Sequence, residues 1–302
     1  MWFNNALVYQ YTLNEAINLP ELLAEEALKP CPPHARSIYG WMPAVSEIAG
    51  CSLFHLGKEE RILPRGVIKR LLAERIQSLE IQQGRTVKRA EKAQMAEDLE
   101  FELLPKSFCV QKQFPALLDS MTNRLIINTA SNTQASQLTA LLRKTIPSIQ
   151  IEPIIPNDNL AIKFAQWIAE PDSLPASLQL ASDCQLFALD DEKKRFNCKG
   201  YELPAQEILT LLSQGLVASE ISLIWNERIQ FTLTKDLTFK RLKCLDYLID
   251  EFNDISQQEE EDQQHDAELM LFSGELRSLF TDLLQQLSRK AEEKSRLSEQ
   301  VL

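Results

Sequence analysis

Glycine is scarce in this chain. An average soluble sequence of this length carries roughly 21, whereas the 302 residues contain only 8. They stand apart, at Gly40, Gly50, Gly57, Gly66, Gly84, Gly200, Gly215 and Gly274. No G-x-G-x-x-G turn and no G-x-x-x-x-G-K-[ST] cradle can be assembled from them, which excludes a Rossmann dinucleotide site and a P-loop NTPase. Long apolar runs are also missing: the longest is a handful of residues, far below the ~20 of a membrane-spanning helix. The three histidines, His34, His55 and His265, form no H-E-x-x-H pair, and the six cysteines show neither C-x-x-C nor the spacing of a zinc site or disulfide framework. Free thiols are expected, with Cys31, between Pro30 and Pro32, read as a small packed residue. With no nucleophile paired to a base and no ligand cluster, the sequence predicts no enzymatic activity, no metal and no cofactor. The opening Met1-Trp2-Phe3-Asn4-Asn5 has no basic stretch followed by an apolar one, which predicts no secretory signal and a cytoplasmic location.

Acidic charge, by contrast, is abundant. Forty-three Asp and Glu oppose 32 Lys and Arg, for a net charge of −11. Such a balance argues against nucleic acid, because binding to phosphates is driven by cations that release condensed counterions. The mean, however, hides two unlike segments. Counted from the sequence, residues 58–92 carry +5 and residues 246–302 carry −10. Between Asp246 and Glu268 lie ten carboxylates and no Lys or Arg.

The pattern of elements is α+β. A strand is expected over residues 6–13, a helix from Pro20 to Leu28, and short strands near Tyr39–Met42 and Cys51–Leu56. Residues 66–104 read as helix broken near Gln82 to Gly84, with Ile68, Leu71, Leu72, Ile76 and Leu79 as one buried stripe. Strands at 125–128 and 149–155 flank a helix at 132–144. A further cycle follows, with helix 160–169, strand 184–189, helix 204–213 and a β-meander. In the meander Ile229, Phe231 and Leu233 alternate with Arg228, Gln230 and Thr232, one face buried and the other wet. Lys235-Asp236 is the expected turn into a strand at 237–243. Leu269 to Leu287 is an amphipathic helix trailing into a charged tail. Ser256–Asp266, acidic and rich in Gln, reads as a mobile connection, and its run Glu259–Asp262 as a solvated loop that would repel nucleic acid from one surface, not as an EF-hand.

Two basic constellations stand out. Arg85, Lys88, Arg89 and Lys92 fall at i, i+3, i+4 and i+7, so a continuous helix would align them in one cationic stripe ~10 Å long. Lys240, Arg241 and Lys243 lie near the end of a strand, beside Arg228 on the preceding one. Alternation would put Arg241 and Lys243 on one face and Lys240 on the other. Each group reads equally as a solubilising surface or as a contact for phosphates. No aromatics are interleaved with them, so base readout is not indicated, whereas sequence-independent backbone contact is.

An ordered series of motifs carries a family likeness. It comprises Met1-Trp2-Phe3 with Val8-Tyr9, Pro30-Cys31, Gly40-Trp41-Met42-Pro43, Ile62-Leu63-Pro64 with Val67-Ile68-Lys69, and Leu103-Leu104-Pro105-Lys106-Ser107-Phe108. It continues through Leu141-Leu142-Arg143-Lys144, Arg228-Ile229-Gln230-Phe231, Lys240-Arg241-Leu242-Lys243 and Gly274-Glu275-Leu276. In these the chain resembles the recombination-associated protein RdgC family, nucleoid proteins that bind DNA without sequence specificity and restrain the RecA recombinase. The resemblance implies a horseshoe-shaped subunit with a mixed α/β central body, a helical tip and a base, two subunits closing into a ring-shaped homodimer through which duplex DNA passes. On that plan residues 1–72 and 117–165 form the body, 73–116 the helical tip, and 166–302 the base with the C-terminal helices. Duplex DNA is the implied partner, single-stranded DNA a lesser one, and no membrane is involved. The DNA-contacting residues would be Arg85, Lys88, Arg89, Lys92, Lys106, Arg228, Lys240, Arg241 and Lys243. Phe108 matches the family's apolar tip contact, and Lys199 with Gly200 the contact at the base, where Gly200 replaces a usual second cation. The alternative is a protein-interaction module that restrains the recombinase directly through its acidic C-terminal segment.

Overall fold

A computed structural model describes residues 2–156, 159–258 and 261–287. The chain forms two compact units. One comprises the described residues of Met1–Ala16, Ser46–Leu53 and Pro115–Leu302, the other Ile17–Val45 and Phe54–Phe114. The elements run β1 (Asn5–Thr12), α1 (Leu19–Glu25), β2 (Ser37–Trp41), β3 (Ser46–Ile48), β4 (Cys51–Ile62), α2 (Arg65–Gln83), α3 (Arg89–Leu103), β5 (Phe108–Asp119), β6 (Arg124–Ile127), α4 (Asn132–Thr145) and β7 (Gln150–Pro153). They continue with α5 (Leu160–Ala169), β8 (Leu178–Ala188), β9 (Asp191–Cys198), α6 (Gln206–Ser213), β10 (Leu216–Trp225), β11 (Ile229–Thr234), β12 (Phe239–Cys244), α7 (Asp246–Gln258) and α8 (Glu261–Leu287). The expected α+β class is what the structure has, with a large antiparallel sheet. Strand β5, starting at Phe108, makes the stretch 73–116 less purely helical than expected.

In the first unit antiparallel strands follow the order β5-β6-β1-β12-β11-β10-β8-β9. Strand β1 is where the sheet divides. Leu7 to Gln10 pair with β6, while the other edge is shared between β12, at Asn5 and Ala6, and β7, at Tyr9 to Thr12. Local chemistry sets the helices around it. Ser131 caps α4 by accepting from the Gln134 N–H, and Arg143 and Lys144 end it, as the helix dipole favours. Asn159 caps α5 through the Ala161 N–H. Helix α8 lays Leu269, Phe272, Leu276, Leu279, Phe280, Leu283, Leu284 and Leu287 into the core, all buried. Phe280 meets Phe239 edge-on at 4.8 Å between centroids, and Phe272 meets Phe3 at 4.9 Å. An ion pair fixes the same helix: Arg277 donates to both oxygens of the buried Asp119, at 3.0 and 3.1 Å, and to the Ala49 carbonyl at 3.1 Å.

The meander departs from simple alternation. Thr232, expected on the wet face, is buried along with Ile229, Phe231 and Leu233, and so is Thr234. The connection expected over Ser256–Asp266 is helical on both sides, α7 reaching Gln258 and α8 starting at Glu261. Glu259, Glu260 and the charged tail beyond Leu287 lie outside the described residues. Scarce glycine leaves its mark on the turns. Among the described residues, Ala49, Asn123, Asn226, Glu227, Leu237 and Arg241 take positive φ, a conformation that usually falls to glycine.

In the second unit β2 pairs with β4 from Ser37 opposite Glu60 to Trp41 opposite Leu56, and α2 and α3 form an antiparallel helical hairpin. Pro64 precedes α2, and Gly84 ends it in the left-handed region at φ 59°. Helix α2 carries its apolar residues where the spacing put them, yet none is fully buried. The stripe is only half covered, by α3.

Candidate nucleic-acid interface

The helical hairpin turn does not build the continuous cationic stripe that spacing suggested. Helix α3 begins only at Arg89 with Lys88 as its cap, so Arg85 lies in the turn and belongs to neither helix. The turn is pinned from within: Val87 is buried, and its N–H donates to the Glu80 carboxylate at 2.9 Å. Arg85 folds back onto Glu91 in a two-pronged pair, both contacts 2.8 Å. Its hydrogen bonds hold the Glu91 carboxyl below the usual carboxylate range. Lys88, Arg89 and Lys92 remain exposed, and only Lys88 is answered by an acid, its N–H and its charge both acting on Glu91. They crowd the N-terminal end of α3, where the helix dipole already carries partial positive charge.

Other cations of the basic segment are engaged elsewhere. Arg61 is a structural tie, donating to the carbonyls of Cys31 at 3.1 Å, Leu104 at 3.3 Å and Ser107 at 3.2 Å. Arg70 pairs with Glu74, Arg75 with Glu102 and Lys58 with Glu60. Arg65 and Lys69 are exposed, with no acidic partner among the described residues. The sequence reading passed over this pair, though its i, i+4 spacing at the start of α2 was the signal that could have found it.

The second constellation is rearranged by one backbone feature. Arg241 has φ 55°, and the β11–β12 register slips between Gln230 and Thr232, the mark of a bulge. The bulge brings Lys240 to the side of Arg241, from which alternation would have separated it, and Lys243 shares that face because its partner Gln230 lies on the same side of β11 as Thr232, the partner of Lys240. The Arg241 guanidinium donates to Thr232 Oγ1 at 2.8 and 3.1 Å and reaches Asp183 at 3.4 Å, while Lys240 pairs with Glu220 at 2.7 Å. With Lys199 they line a polar cavity of about 330 Å³. Lys243 is exposed opposite Gln230. Arg228 is enclosed: Glu251 of α7 and Glu275 of α8 each bind it through two contacts between 2.7 and 3.0 Å, and the Tyr247 ring covers it at 5.3 Å. The hydrogen bonds it donates to Glu251 and then Glu275 raise its pKa further.

At the start of β5, Phe108 is 86% exposed, the highest exposure of any large apolar side chain among the described residues. Cys109 and Val110 beside it are exposed as well. Lys106, just upstream, lies 3.5 Å from Glu102. At the other expected contact, Gly200 adopts φ 71° and donates its N–H to Asp183 at 3.0 Å. That left-handed backbone explains a glycine where a second cation was anticipated.

The family model described as "Putative exonuclease, RdgC" matches residues 1–290. The chain belongs to the RdgC family. Among its relatives, the recombination-associated protein RdgC of Proteus mirabilis is 33% identical over 97% of this chain and 100% of its own length. That of Actinobacillus succinogenes is 34% identical over 98% and 99% respectively. The Salmonella paratyphi B protein is 30% identical over 97% and 99%. The RdgC family model and the relatives thus differ in what they are called, exonuclease in one case and recombination-associated in the other. Among the described residues no three His, Cys, Asp or Glu side chains are grouped so as to hold a metal ion. No described helix is long and apolar enough to cross a membrane.

Proposed function

We propose that this chain is a non-enzymatic, sequence-independent DNA-binding protein that closes as a homodimer around duplex DNA and so limits access of a RecA-type recombinase. The observation that carries the reading is the exposed group Lys88, Arg89 and Lys92 at the N-terminal end of α3. Like charges there destabilise the isolated helix, and an anionic backbone relieves them. Arg65, Lys69 and Lys243 extend the set. Arg228, whose charge two carboxylates already answer, contributes to the fold of the base and not to phosphate contact. Exposed Phe108 supports dimer closure at the tip, and the acidic remainder of the surface disfavours DNA bound in other orientations.

A salt titration of binding to circular duplex DNA tests the reading. Affinity should fall steeply with salt, and replacing Lys88, Arg89 and Lys92 together by Ala should flatten the slope by up to about 3 per chain. An unchanged slope overturns the assignment. Phe108→Asp should convert the dimer to monomer on a sizing column and abolish retention on circular DNA. Degradation of end-labelled DNA in magnesium would favour the exonuclease description instead. A second reading, direct contact with the recombinase, is favoured by α7, whose Asp246, Asp250, Glu251 and Asp254 accompany exposed Tyr247 and Ile249. Asp250→Asn with Asp254→Asn should leave recombinase inhibition intact if DNA coating is the mechanism, and weaken it if α7 is the contact.

A further inference from the structure

Cys184 on β8 and Cys198 on β9 are partners in register, directly opposite one another across the two strands. Opposed residues of an antiparallel pair lie about 4.5 to 5.5 Å apart at Cα, within the roughly 4.4–6.8 Å that a disulfide spans. Side chains at opposed positions lie on the same face of the sheet, so the two thiols are neighbours. Each is buried from bulk solvent, at 5% and 8% exposure, yet both line the wall of the 330 Å³ polar cavity beside Lys199 and Arg241. A small reagent entering that cavity would meet two cysteines on facing positions of paired strands. Nothing comparable holds for Cys31, whose thiol donates to the Ala35 carbonyl, or for Cys109, which is exposed.

We infer that Cys184 and Cys198 form a redox-modifiable pair, oxidised by a small-molecule disulfide to a cross-strand bond that clamps β8 to β9 and is reopened by thiols. One cysteine loses its proton, and its thiolate attacks a sulfur of glutathione disulfide, expelling one glutathione thiolate and leaving a mixed disulfide. The second cysteine thiolate attacks the protein sulfur of that bond and expels the other glutathione. Two protein thiols become one disulfide, one glutathione disulfide becomes two glutathione thiols, and the protons end on the released thiols. Burial, and then the neighbouring Cys198 sulfur, push the Cys184 thiol up to about 12. Closure should therefore be slow at neutral pH and quicken about tenfold per pH unit as thiolate accumulates. The location matters for the fold, because Cys198 leads directly into Lys199 and Gly200, and a clamp at β8–β9 stiffens the strand that presents them. The couple is independent of how the chain binds DNA.

The test incubates the reduced full chain with glutathione disulfide at pH 8 and pH 9, quenches in acid, alkylates the remaining thiols and maps the peptides. The expected result is a loss of about 2 Da per chain, a peptide joining Cys184 to Cys198, return of both thiols with dithiothreitol, and faster closure at the higher pH. Amide exchange across β8 and β9 should slow about tenfold in the oxidised form. In Cys198→Ser a glutathione adduct on Cys184 should persist, having no thiol to resolve it. Should that variant not fold, the wild-type peptide map decides alone. The proposal is overturned if Cys184 and Cys198 are both recovered alkylated under conditions that fully modify exposed Cys109, or if adducts form on either without a linked peptide.

Discussion

Helices α2 and α8 carry apolar stripes of the same period. In α8 eight apolar side chains from Leu269 to Leu287 are buried, against Phe239 of β12 and Phe3 just before β1. In α2 the stripe Ile68, Leu71, Leu72, Ile76 and Leu79 is half-buried throughout, because α3 alone faces it. Met95 and Leu99 of α3 leave an open cleft of about 460 Å³ along the hairpin. Periodicity thus reports which face of a helix is apolar; whether that face finds a partner within the same chain is decided by what else folds beside it. The hairpin is held by local turn chemistry and a narrow seam, the C-terminal helix by a three-dimensional core.

The contrast is broken most severely at Phe280, which is wholly buried against Phe239. Phe280→Ala should lower the unfolding free energy by about 3–5 kcal/mol, read by urea denaturation. Next comes Arg277→Ala, which strands the buried Asp119 carboxylate and should cost about 3 kcal/mol. That site also sets an acid limit. Burial alone would raise the Asp119 pKa, but hydrogen bonds from Arg277, Thr122 and the Met121 N–H outweigh it and hold the carboxyl below its usual range. A folded pKa below the unfolded value of about 3.9 means the pair's contribution is present above that pH and fades as pH falls through the folded pKa. Acid denaturation followed by circular dichroism should show that this contribution is gone in Arg277→Ala, with its unfolding displaced to higher pH.

Much of this fold was legible because it is locally encoded. Caps such as Ser131 and Asn159, the break at Gly84 and the heptad-like stripe of α8 act within a few residues of themselves. What the sequence left unread depends on pairing at a distance. The cationic stripe failed because the turn that begins at the expected break runs on past Val87 to Lys88, so the second helix starts at Arg89 and leaves Arg85 out. Arg241 faces Lys240 because of a bulge that no glycine or asparagine announced, and the Lys-Arg-Leu-Lys run looks like an ordinary strand. Arg228 reads as an exposed cation until α7 and α8, some 23 and 47 residues later, supply Glu251 and Glu275. Charge counting by segment found the region of interest; it could not tell which cations were already paired.

On the hairpin side the effects should be small, and their order is informative. Leu72→Ala removes only half-buried surface and gains helix propensity, so about 1 kcal/mol or less is expected. Gly84→Ala forces a side chain into the left-handed region at φ 59° and should cost about 1 kcal/mol. Arg85→Ala should leave the unfolding midpoint unmoved, although it deletes the best-formed ion pair of the turn. Both partners are solvated, and Glu91, once released, still sits in the first turn of α3 where the dipole favours a carboxylate. If Arg85→Ala instead proves as costly as Gly84→Ala, the turn is held by its ion pair and not by its backbone and Val87. The exposed cations beside it would then owe their placement to Glu91, and the boundary between the locally encoded hairpin and the packed core would have to be redrawn.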